Sequence, residues 1–458
     1  MNAIDEITIL QLQEMYRRKD ISVKEIVEEY LKRITIYDRG EGSLNSILEI
    51  NPDALSIAEE LDKHRPEYSS RLYGVPILLK DNIDTGDRMH TSAGSLAFQN
   101  SFAGQDANIV RIMREKGAVI LGKTNMTEFA NYMTKGMKPG YSSRGGEVKS
   151  PYKKNHDPSG SSTGSAVAVT ANLCTAAMGT DTAGSILSPS NNNGIVGLRP
   201  STGKLSMQGI IPVSRTLDTV GPMTRTVMDT AIIFSELMNS ELILNGTEWN
   251  ISQTVIGIDY DTFQALTPEE EKKAVTMMKK LRKSGAILQN IHVPKIPTEN
   301  LNIIKRYEFK YCINKYLESR KDPVIRSLHD IIEFNEKNPL TALRFGQTYL
   351  IDVEKNTRGD LSETVYQRML KERENTIKDM IDRLSKVDVC LHFHENLIIQ
   401  YTGLPSITVP VGLYNNGTPN GIFLTCLEDE KLLRHALAIE KVIGKRQGSK
   451  ATAHGNSI

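Results

Sequence analysis

Three separated segments of the chain carry side chains that could perform chemistry. Lys80 ends the apolar run Tyr-Gly-Val-Pro-Ile-Leu-Leu-Lys at residues 73–80. Residues 159–165 read Ser-Gly-Ser-Ser-Thr-Gly-Ser, and residues 179–185 read Gly-Thr-Asp-Thr-Ala-Gly-Ser. An amine, several hydroxyl groups and small residues that expose backbone amides are suited to nucleophilic attack on a carbonyl carbon. The sequence therefore directs attention to acyl-transfer chemistry.

Lys80 has two interpretations on its own. A lysine at the end of an apolar strand commonly extends its ammonium group into water. Burial would instead disfavour the charged form and could lower the pKa by several units, which would make the amine a general base near neutral pH. The sequence leaves both interpretations open.

The serine-rich loop at residues 159–165 also fits more than one description. Residues 160–164 match the Gly-x-Ser-x-Gly nucleophile elbow, which would make Ser162 the nucleophile. That motif requires a preceding strand, whereas residues 153–158 are polar and end in proline. The loop lacks the Gly-Lys-Ser/Thr of a phosphate-binding loop, which argues against nucleotide binding. A flexible turn, an anion-binding nest and part of a catalytic site remain as alternatives.

The segment at residues 179–185 is ambiguous in the same way. Ser185 would simply end a turn in the structural interpretation. In the functional one, the small residues before it let successive backbone amides approach a substrate oxygen and form an oxyanion hole. The motif alone does not decide between them.

Composition restricts the class of partner and the compartment. Among 458 residues, 56 Lys plus Arg balance 55 Asp plus Glu, so no general attraction to nucleic acid or an anionic membrane is expected. The four cysteines show no metal-binding spacing and are expected to be unpaired and structural. The sequence shows neither a signal peptide nor an apolar run of about 18 residues. We expect a soluble, cytoplasmic protein with a small-molecule or peptide partner.

The order of predicted elements indicates an α/β fold. A helix is predicted after Ser22 and a buried strand over residues 73–80. Residues 106–125 read as a helix, a capping glycine and a strand, as in folds with a covered sheet. The apolar stretch 166–178 is predicted as a buried helix. Further helices follow from residue 268, and strands are expected at 407–411 and 421–424.

Taken together, these segments resemble the amidase signature family. The resemblance rests on residues 74–82, 122–129, 159–165 and 179–185, in that order, with Ser161 and Ser185 24 positions apart. Residues 194–200 and 403–410 resemble further family segments. The similarity extends from about residue 5 to 445.

The resemblance implies a large mixed, twisted sheet covered by helices on both faces. It implies one domain over residues 1–445, followed by a polar tail at 446–458. Within the domain, the core motifs lie at 74–215, a helical substrate-side region lies at about 240–385, and the chain returns to the core at 386–445.

The resemblance also implies an amidase with a Ser-Ser-Lys relay. Ser185 would be the nucleophile, Ser161 the bridging serine after a cis peptide bond, and Lys80 the base. The backbone amides of Thr182, Ala183, Gly184 and Ser185 would form the oxyanion hole. No metal and no organic cofactor is implied, and a monomer or homodimer is expected.

Departures from the common family pattern bear on the substrate. Ser159 and Thr163 replace two glycines, and Ala183 replaces another. Leu187 stands where many members carry an arginine suited to a substrate carboxylate. Together with residues 140–146 and 209–213, Leu187 resembles the peptide amidase branch. We therefore expect hydrolysis of small uncharged amides or C-terminal peptide amides.

Substrate selection is expected to depend largely on residues 300–380. Four aromatic residues of this region are candidates for a pocket, although packing within the helical core is the alternative for each: Phe309, Tyr311, Tyr316 and Phe345.

The sequence leaves two alternative functions open. One is a glutamine-hydrolysing amidotransferase subunit that supplies ammonia to a partner, against which Leu187 argues. The other is a non-catalytic binding protein on the same scaffold, which would have no use for the relay residues. His156 near the serine loop, and His392 with His394, are weaker candidates for a catalytic triad and a metal site.

Overall fold

A computed structural model describes residues 4–40, 42–64, 70–240, 250–320 and 324–449. Its strands are β1 (Ile47–Ile50), β2 (Pro76–Lys80), β3 (Val119–Thr124), β4 (Tyr141–Ser142), β5 (Gly146–Glu147), β6 (Ala176–Asp181), β7 (Val196–Arg199), β8 (Thr219–Thr224), β9 (Val255–Asp259), β10 (Ile287–Ile291), β11 (Val389–His392), β12 (Ser406–Leu413) and β13 (Pro419–Thr425). Eleven of them form a central mixed sheet with the strand order β1-β3-β2-β6-β8-β7-β12-β13-β11-β9-β10, and β4 and β5 form a two-stranded hairpin.

Helices from all parts of the described ranges flank this sheet. They are α1 (Ile9–Arg18), α2 (Val23–Tyr37), α3 (Ala54–Lys63), α4 (Asn108–Glu115), α5 (Thr163–Thr170), α6 (Leu187–Asn192), α7 (Val227–Met238), α8 (Tyr260–Gln264), α9 (Pro268–Lys283), α10 (Thr298–Arg320), α11 (Leu328–Lys337), α12 (Pro339–Ala342), α13 (Thr348–Asn356), α14 (Thr364–Leu384), α15 (Ile398–Thr402) and α16 (Asp429–Ile443). The predicted mixed α/β architecture is confirmed.

Two neighbouring strands of the sheet position the candidate site. Strand β2 lies between β3 and β6 and runs parallel to both. In the register of β2 and β6, Leu79 stands opposite Met178. The carboxyl ends of parallel strands meet at one edge of a sheet, so the ends of these strands lie together. Lys80 and the segment after residue 179 are brought to this common edge.

The prediction of one buried helix over residues 166–178 is wrong, because the structure divides this stretch between a helix and a strand. Helix α5 ends at Thr170, and strand β6 begins at Ala176. Asn172 lies between them with φ of 55°, a left-handed conformation that interrupts a helix. All residues of both elements are buried, so no amphipathic period distinguishes the helix from the strand.

The helical region from α10 to α14 forms two apolar clusters of its own beside the main core. One joins α10, α11 and α13 to the segment around Phe129 and Tyr132. The other joins α10, α14 and α15. Helix α10 contributes to both clusters.

Within the described ranges, every helix is too short or too polar to cross a lipid bilayer. The predicted polar tail lies mainly outside those ranges, because they end at residue 449.

Candidate active site

Lys80 is completely buried at the end of β2, so the interpretation with its ammonium group in water does not hold. Its Nζ donates to three acceptors: Ser161 Oγ at 2.7 Å, Thr180 Oγ1 at 2.9 Å and the Thr180 carbonyl at 3.2 Å. Three acceptors match the three N–H bonds of a lysine ammonium group. The side chain is therefore fixed in one orientation, with Ser161 as one of its partners.

Burial lowers the pKa of Lys80 from its ordinary value of 10.5 to about 7. Desolvation is the main cause, and the negative charges of Asp181 and Asp218 oppose it. Both forms of the amine are therefore populated near neutral pH, as a proton-transferring group requires.

Ser161 lies between Lys80 and the loop that precedes α5. It is fully buried, and the peptide bond between Gly160 and Ser161 is cis, as the family resemblance implies. Its carbonyl accepts a hydrogen bond from the Thr127 amide at 3.1 Å. The side-chain hydroxyl is thus presented to Lys80 by a backbone that is held on its other side.

Ser185 comes to the same place from the next loop. Its carbonyl accepts a hydrogen bond from the Ser162 amide at 3.2 Å, and the residue is 8% exposed. Within the described ranges its hydroxyl has no hydrogen-bond partner, so the link from Ser185 Oγ to Ser161 Oγ is not formed in this structure. The structure brings Lys80 and Ser161 into direct contact and places Ser185 beside them with its hydroxyl unengaged.

The contacts of Ser162 indicate a structural role rather than that of a nucleophile. It is fully buried, and its hydroxyl donates to the Thr180 carbonyl at 3.1 Å. It immediately precedes α5, and the residues before it form loop rather than strand. The context required by the nucleophile elbow is absent at this position.

A buried ion pair shapes the loop that carries Ser185. Arg199 Nη1 lies 2.9 Å from Asp181 Oδ1, and it also donates to the Asp181 carbonyl at 2.9 Å. The Asp181 carboxylate in turn accepts the amides of Gly184 at 2.9 Å and Ile186 at 2.7 Å. The loop therefore bends around Asp181, and Arg199 holds that carboxylate in place.

These contacts engage one of the four backbone amides that are predicted to form the oxyanion hole. The Gly184 amide is committed to Asp181. The amides of Thr182, Ala183 and Ser185 have no hydrogen-bond acceptor among the residues that the structure describes. The Thr182 hydroxyl donates to Asp218 Oδ1 at 2.6 Å, which fixes the start of the loop. Three of the four amides are thus available to an incoming oxygen.

Glu395 packs against the backbone of this loop at Gly184. A methyl group on Gly184, which has φ of 99°, would overlap Glu395 Oε1, so only glycine fits here. The Ser188 hydroxyl donates to the other carboxylate oxygen. Burial raises the pKa of Glu395 to about 7. A titratable group therefore touches the backbone of the candidate oxyanion loop.

The three candidate histidines contact other partners. His156 Nε2 lies 2.8 Å from the Asn192 carbonyl. His392 is buried and pairs with Asp259, and His394 approaches Glu270. The described ranges hold no cluster of three or more His, Cys, Asp or Glu side chains that could bind a metal ion.

The four aromatic candidates have different surroundings. Phe309 is buried against Tyr132, and Tyr316 donates from its hydroxyl to Asp84 Oδ1 at 2.8 Å. Phe345 packs on Tyr141. Tyr311 lines an open cleft of about 390 Å³ between α10 and residues 207–218, and Asp218 also lines it. Tyr316 lines the same cleft, and Asp218 accepts a hydrogen bond from the Thr182 hydroxyl.

Sequence reasoning missed the residues that position the reactive groups. Thr180 binds the Lys80 amine, and Asp181 with Arg199 shapes the next loop. A signal for Asp181 was present, because it is the one charged residue in an otherwise small and neutral segment. Arg199 lies in a separate strand, and nothing in its local sequence points to this partner.

Comparisons with known proteins identify the family of the chain. The chain belongs to the amidase family, which it matches over residues 25–392. It is accordingly a hydrolase that acts on amide carbon–nitrogen bonds. A protein of Arabidopsis thaliana described as a probable amidase is 34% identical over 467 residues, which cover 96% of this chain and 90% of that protein.

A structural neighbour supports the branch of the family. The native peptide amidase of Stenotrophomonas maltophilia has a TM-score of 0.88 and 32% identity, and the match covers 97% of this chain and 98% of that one. A glutamyl-tRNA(Gln) amidotransferase subunit of Halothermothrix orenii is 25% identical over 96% of this chain and 98% of its own length. The expected resemblance to peptide amidases is confirmed.

Proposed function

We propose that the protein hydrolyses the carboxamide of small uncharged amides or C-terminal peptide amides through a relay of Lys80, Ser161 and Ser185. The observation that carries the proposal is the 2.7 Å hydrogen bond between Lys80 Nζ and Ser161 Oγ at the buried end of β2. An amine with a pKa of about 7 in contact with a serine hydroxyl is suited to general-base catalysis.

Thr180 determines where the lone pair of the neutral amine points. Lys80 Nζ has three partners, and two of them belong to Thr180. When the amine has lost a proton, its two remaining N–H bonds donate to Thr180, which leaves the lone pair facing Ser161 Oγ. The Ser161 hydroxyl then donates to Lys80, so the base is ready to accept a proton.

The acylation step follows from this arrangement. Ser185 Oγ attacks the amide carbon and passes its proton to Ser161, while Ser161 passes its own proton to Lys80. The protonated Lys80 returns a proton through Ser161 to the leaving nitrogen. The carbon–nitrogen bond breaks, ammonia departs from a primary amide, and an ester to Ser185 remains. Water then hydrolyses the ester by the same relay.

The second contact of the relay forms in the proposed reaction complex. The Ser185 hydroxyl has no partner among the described residues, so it is available to donate to Ser161 when substrate is bound. Catalytic hydrogen bonds are often long or absent without substrate and shorten in the complex. The amides of Thr182, Ala183 and Ser185 supply the oxyanion donors, and loss of one such donor typically costs about 3 kcal/mol in the barrier.

Leu187 favours an uncharged group near the loop. It is fully buried at the start of α6, and its amide lies 3.4 Å from Asp181 Oδ2. An apolar side chain at this position offers no cation to a substrate carboxylate. The likeness to a peptide amidase makes C-terminal peptide amides the first substrates to test.

Ammonia release from a panel of substrates tests this function. The panel contains acetylated dipeptide amides, simple aliphatic and aromatic amides, and free glutamine. We expect turnover of the peptide amides and little turnover of glutamine. Glutamine hydrolysis that exceeds peptide amide hydrolysis would favour the role of an amidotransferase subunit, and no turnover of any amide would favour a binding protein.

Two serine variants test the assignment of the nucleophile. Ser185→Ala should abolish labelling by a fluorophosphonate probe and lower kcat by about 10⁴-fold or more, as losses of catalytic serines do. Ser162→Ala should retain labelling, because its hydroxyl donates to the Thr180 carbonyl. The opposite pattern would restore Ser162 as the nucleophile.

A further inference from the structure

Lys305 lies on a face of α10 that packs into the protein. Leu301, Glu308, Phe309 and Cys312 occupy the same face, since they lie four positions before and three, four and seven positions after it. All four of these neighbours are buried, and Lys305 itself is partly buried. The amine of Lys305 is thus directed into the protein.

Two neighbours connect this face to segments that flank the relay. The Glu308 carboxylate accepts hydrogen bonds from the Ser214 and Thr216 hydroxyls and from the Thr216 amide at 3.0 Å. Residues 213 and 214 donate their amides to Asp218, the carboxylate bound to Thr182. On the other side, Phe309 packs on Tyr132, five residues after Thr127, whose amide binds Ser161. Neighbours of Lys305 on this face of α10 therefore contact segments that are bonded in turn to the loops that hold Ser161 and Ser185.

The Lys305 ammonium group has no hydrogen bond or ion pair with any residue that the structure describes. Its Nζ lies 5.8 Å from the centroid of the Tyr132 ring, a cation–π contact. Its neighbours on the helix are paired: Arg306 binds Asp352 at 2.7 Å, and Lys310 binds Glu354 at 3.2 Å. A partly desolvated cation without an anionic partner is costly, and an incoming anion relieves that cost.

The charges around Lys305 connect it to Lys80. Burial lowers the pKa of Lys305, and the carboxylates of Glu299 and Asp218 oppose that shift. Asp218 also opposes the shift in the pKa of Lys80. One carboxylate therefore acts on both amines, one in the relay and one on α10, across the same loop.

We infer that Lys305 binds a carboxylate on the acyl part of the substrate and selects peptide amides with an acidic side chain at one of the last two positions. The inference rests on the proposed function. In a primary amide the leaving group is ammonia, so every other part of the substrate belongs to the acyl portion. Leu187 provides no cation near the loop, and Lys305 provides one from a different element.

Matched peptide amides test the inference through kcat/KM for ammonia release. Acetylated dipeptide amides carry either glutamate or methionine at the last or the last-but-one position. Wild type should prefer a glutamate peptide over its methionine counterpart by about tenfold or more, the usual value of a charge-assisted hydrogen bond. Lys305→Met should remove this preference while retaining hydrolysis of the methionine peptides, and Lys305→Arg should restore most of it.

Lys310→Met is the control, because it removes a cation from the same helix that is already paired with Glu354. Its preference should equal that of wild type. Equal rates on both peptides in wild type, or a preference that survives in Lys305→Met, would overturn the inference while leaving the proposed function in place.

Calorimetry on an inactive background separates the inference from the proposed function. Ser185→Ala should bind the glutamate peptide amide more tightly than the methionine one, and Ser185→Ala combined with Lys305→Met should bind both equally. If wild type hydrolyses no peptide amide, the proposed function fails. Binding that differs between these two variants would then still support the role of Lys305, and equal binding would overturn it.

Discussion

Arg199 and Asp181 form a fully buried ion pair beneath the loop that carries Ser185, with 2.9 Å between Nη1 and Oδ1. The carboxylate has further partners in the Gly184 and Ile186 amides, and the guanidinium also donates to the Leu217 carbonyl at 2.8 Å. Each charge is thus compensated in the interior, which is the condition for burying an ion pair without a large penalty.

Breaking this pair should destabilise the loop that carries Ser185. Asp181→Asn leaves Arg199 charged and buried without a counterion, a loss of about 3–5 kcal/mol in the free energy of unfolding. Urea denaturation measures the loss, and fluorophosphonate labelling of Ser185 should fall with it. Replacing both partners, Asp181→Asn with Arg199→Met, should cost less than the sum of the single losses. Additive losses would contradict a direct interaction.

The activity should depend on pH through Lys80. Only the neutral amine accepts a proton, and the pKa of Lys80 is about 7. The contribution of Lys80 to kcat/KM should therefore fall about tenfold per pH unit below pH 7 and level off above it. A pH–rate profile on a neutral peptide amide measures this acid limb. An activity that stays constant from pH 5 to 7 would contradict a neutral lysine as the base.

Glu395 should produce a separate effect on the alkaline side. Its pKa is about 7, and it carries a negative charge against Gly184 once it loses its proton. A negative charge beside the oxyanion loop opposes the charge that develops on the substrate oxygen. Glu395→Gln should therefore raise kcat/KM above pH 7 and leave the acid limb of Lys80 in place. Loss of the acid limb in this variant would assign that limb to Glu395 instead.

Thr180 should act as a positioning residue for Lys80. Thr180→Val removes the Oγ1 acceptor at 2.9 Å and keeps the shape of the side chain. We expect kcat to fall by about tenfold to a hundredfold, since a small misplacement of the base is costly. The pKa seen in the acid limb should also fall, because the ammonium form loses an acceptor. Thr180→Ser keeps the hydroxyl and should show neither change; a normal pH profile in Thr180→Val would contradict this role.

Gly184 should tolerate no side chain. Gly184→Ala places a methyl group against Glu395 Oε1, so the loop must shift, and we expect a loss of about a hundredfold or more in kcat/KM, comparable to the loss of one oxyanion donor. Gly203→Ala is the matched control: Gly203 has φ of 82°, also left-handed, but open space around it. It should cost about 1 kcal/mol of stability and no activity. Relief of the Gly184→Ala defect by Glu395→Ala would confirm the steric cause.

The arrangement around Lys80 shows how much of the site can be predicted from local sequence. A short apolar run that ends in a charge predicts a buried strand, and β2 ends at Lys80 as expected. Whether the amine reaches water depends on what covers the end of the strand, and here Thr180 from β6 covers it. That contact spans 100 residues of sequence, so the pattern around Lys80 cannot contain it.

The inward orientation of Lys305, in contrast, cannot be predicted from local sequence. It stands in a helix rich in charged residues, where most such side chains pair on the surface. Its inward direction follows from the packing of Glu308 and Phe309, and those contacts depend on loops far away in sequence. A single lysine in such a helix gives no local signal that distinguishes it from Lys310.

The four cysteines are all buried and unpaired, and burial raises the pKa of Cys174, Cys312 and Cys426 to about 12. A thiol reagent needs both access and a thiolate, so it should react with the folded enzyme slowly and with the unfolded chain rapidly. The rate of thiol modification would thus report how often the native state opens. Refolding under oxidising conditions would risk disulfide bonds that the native protein does not contain.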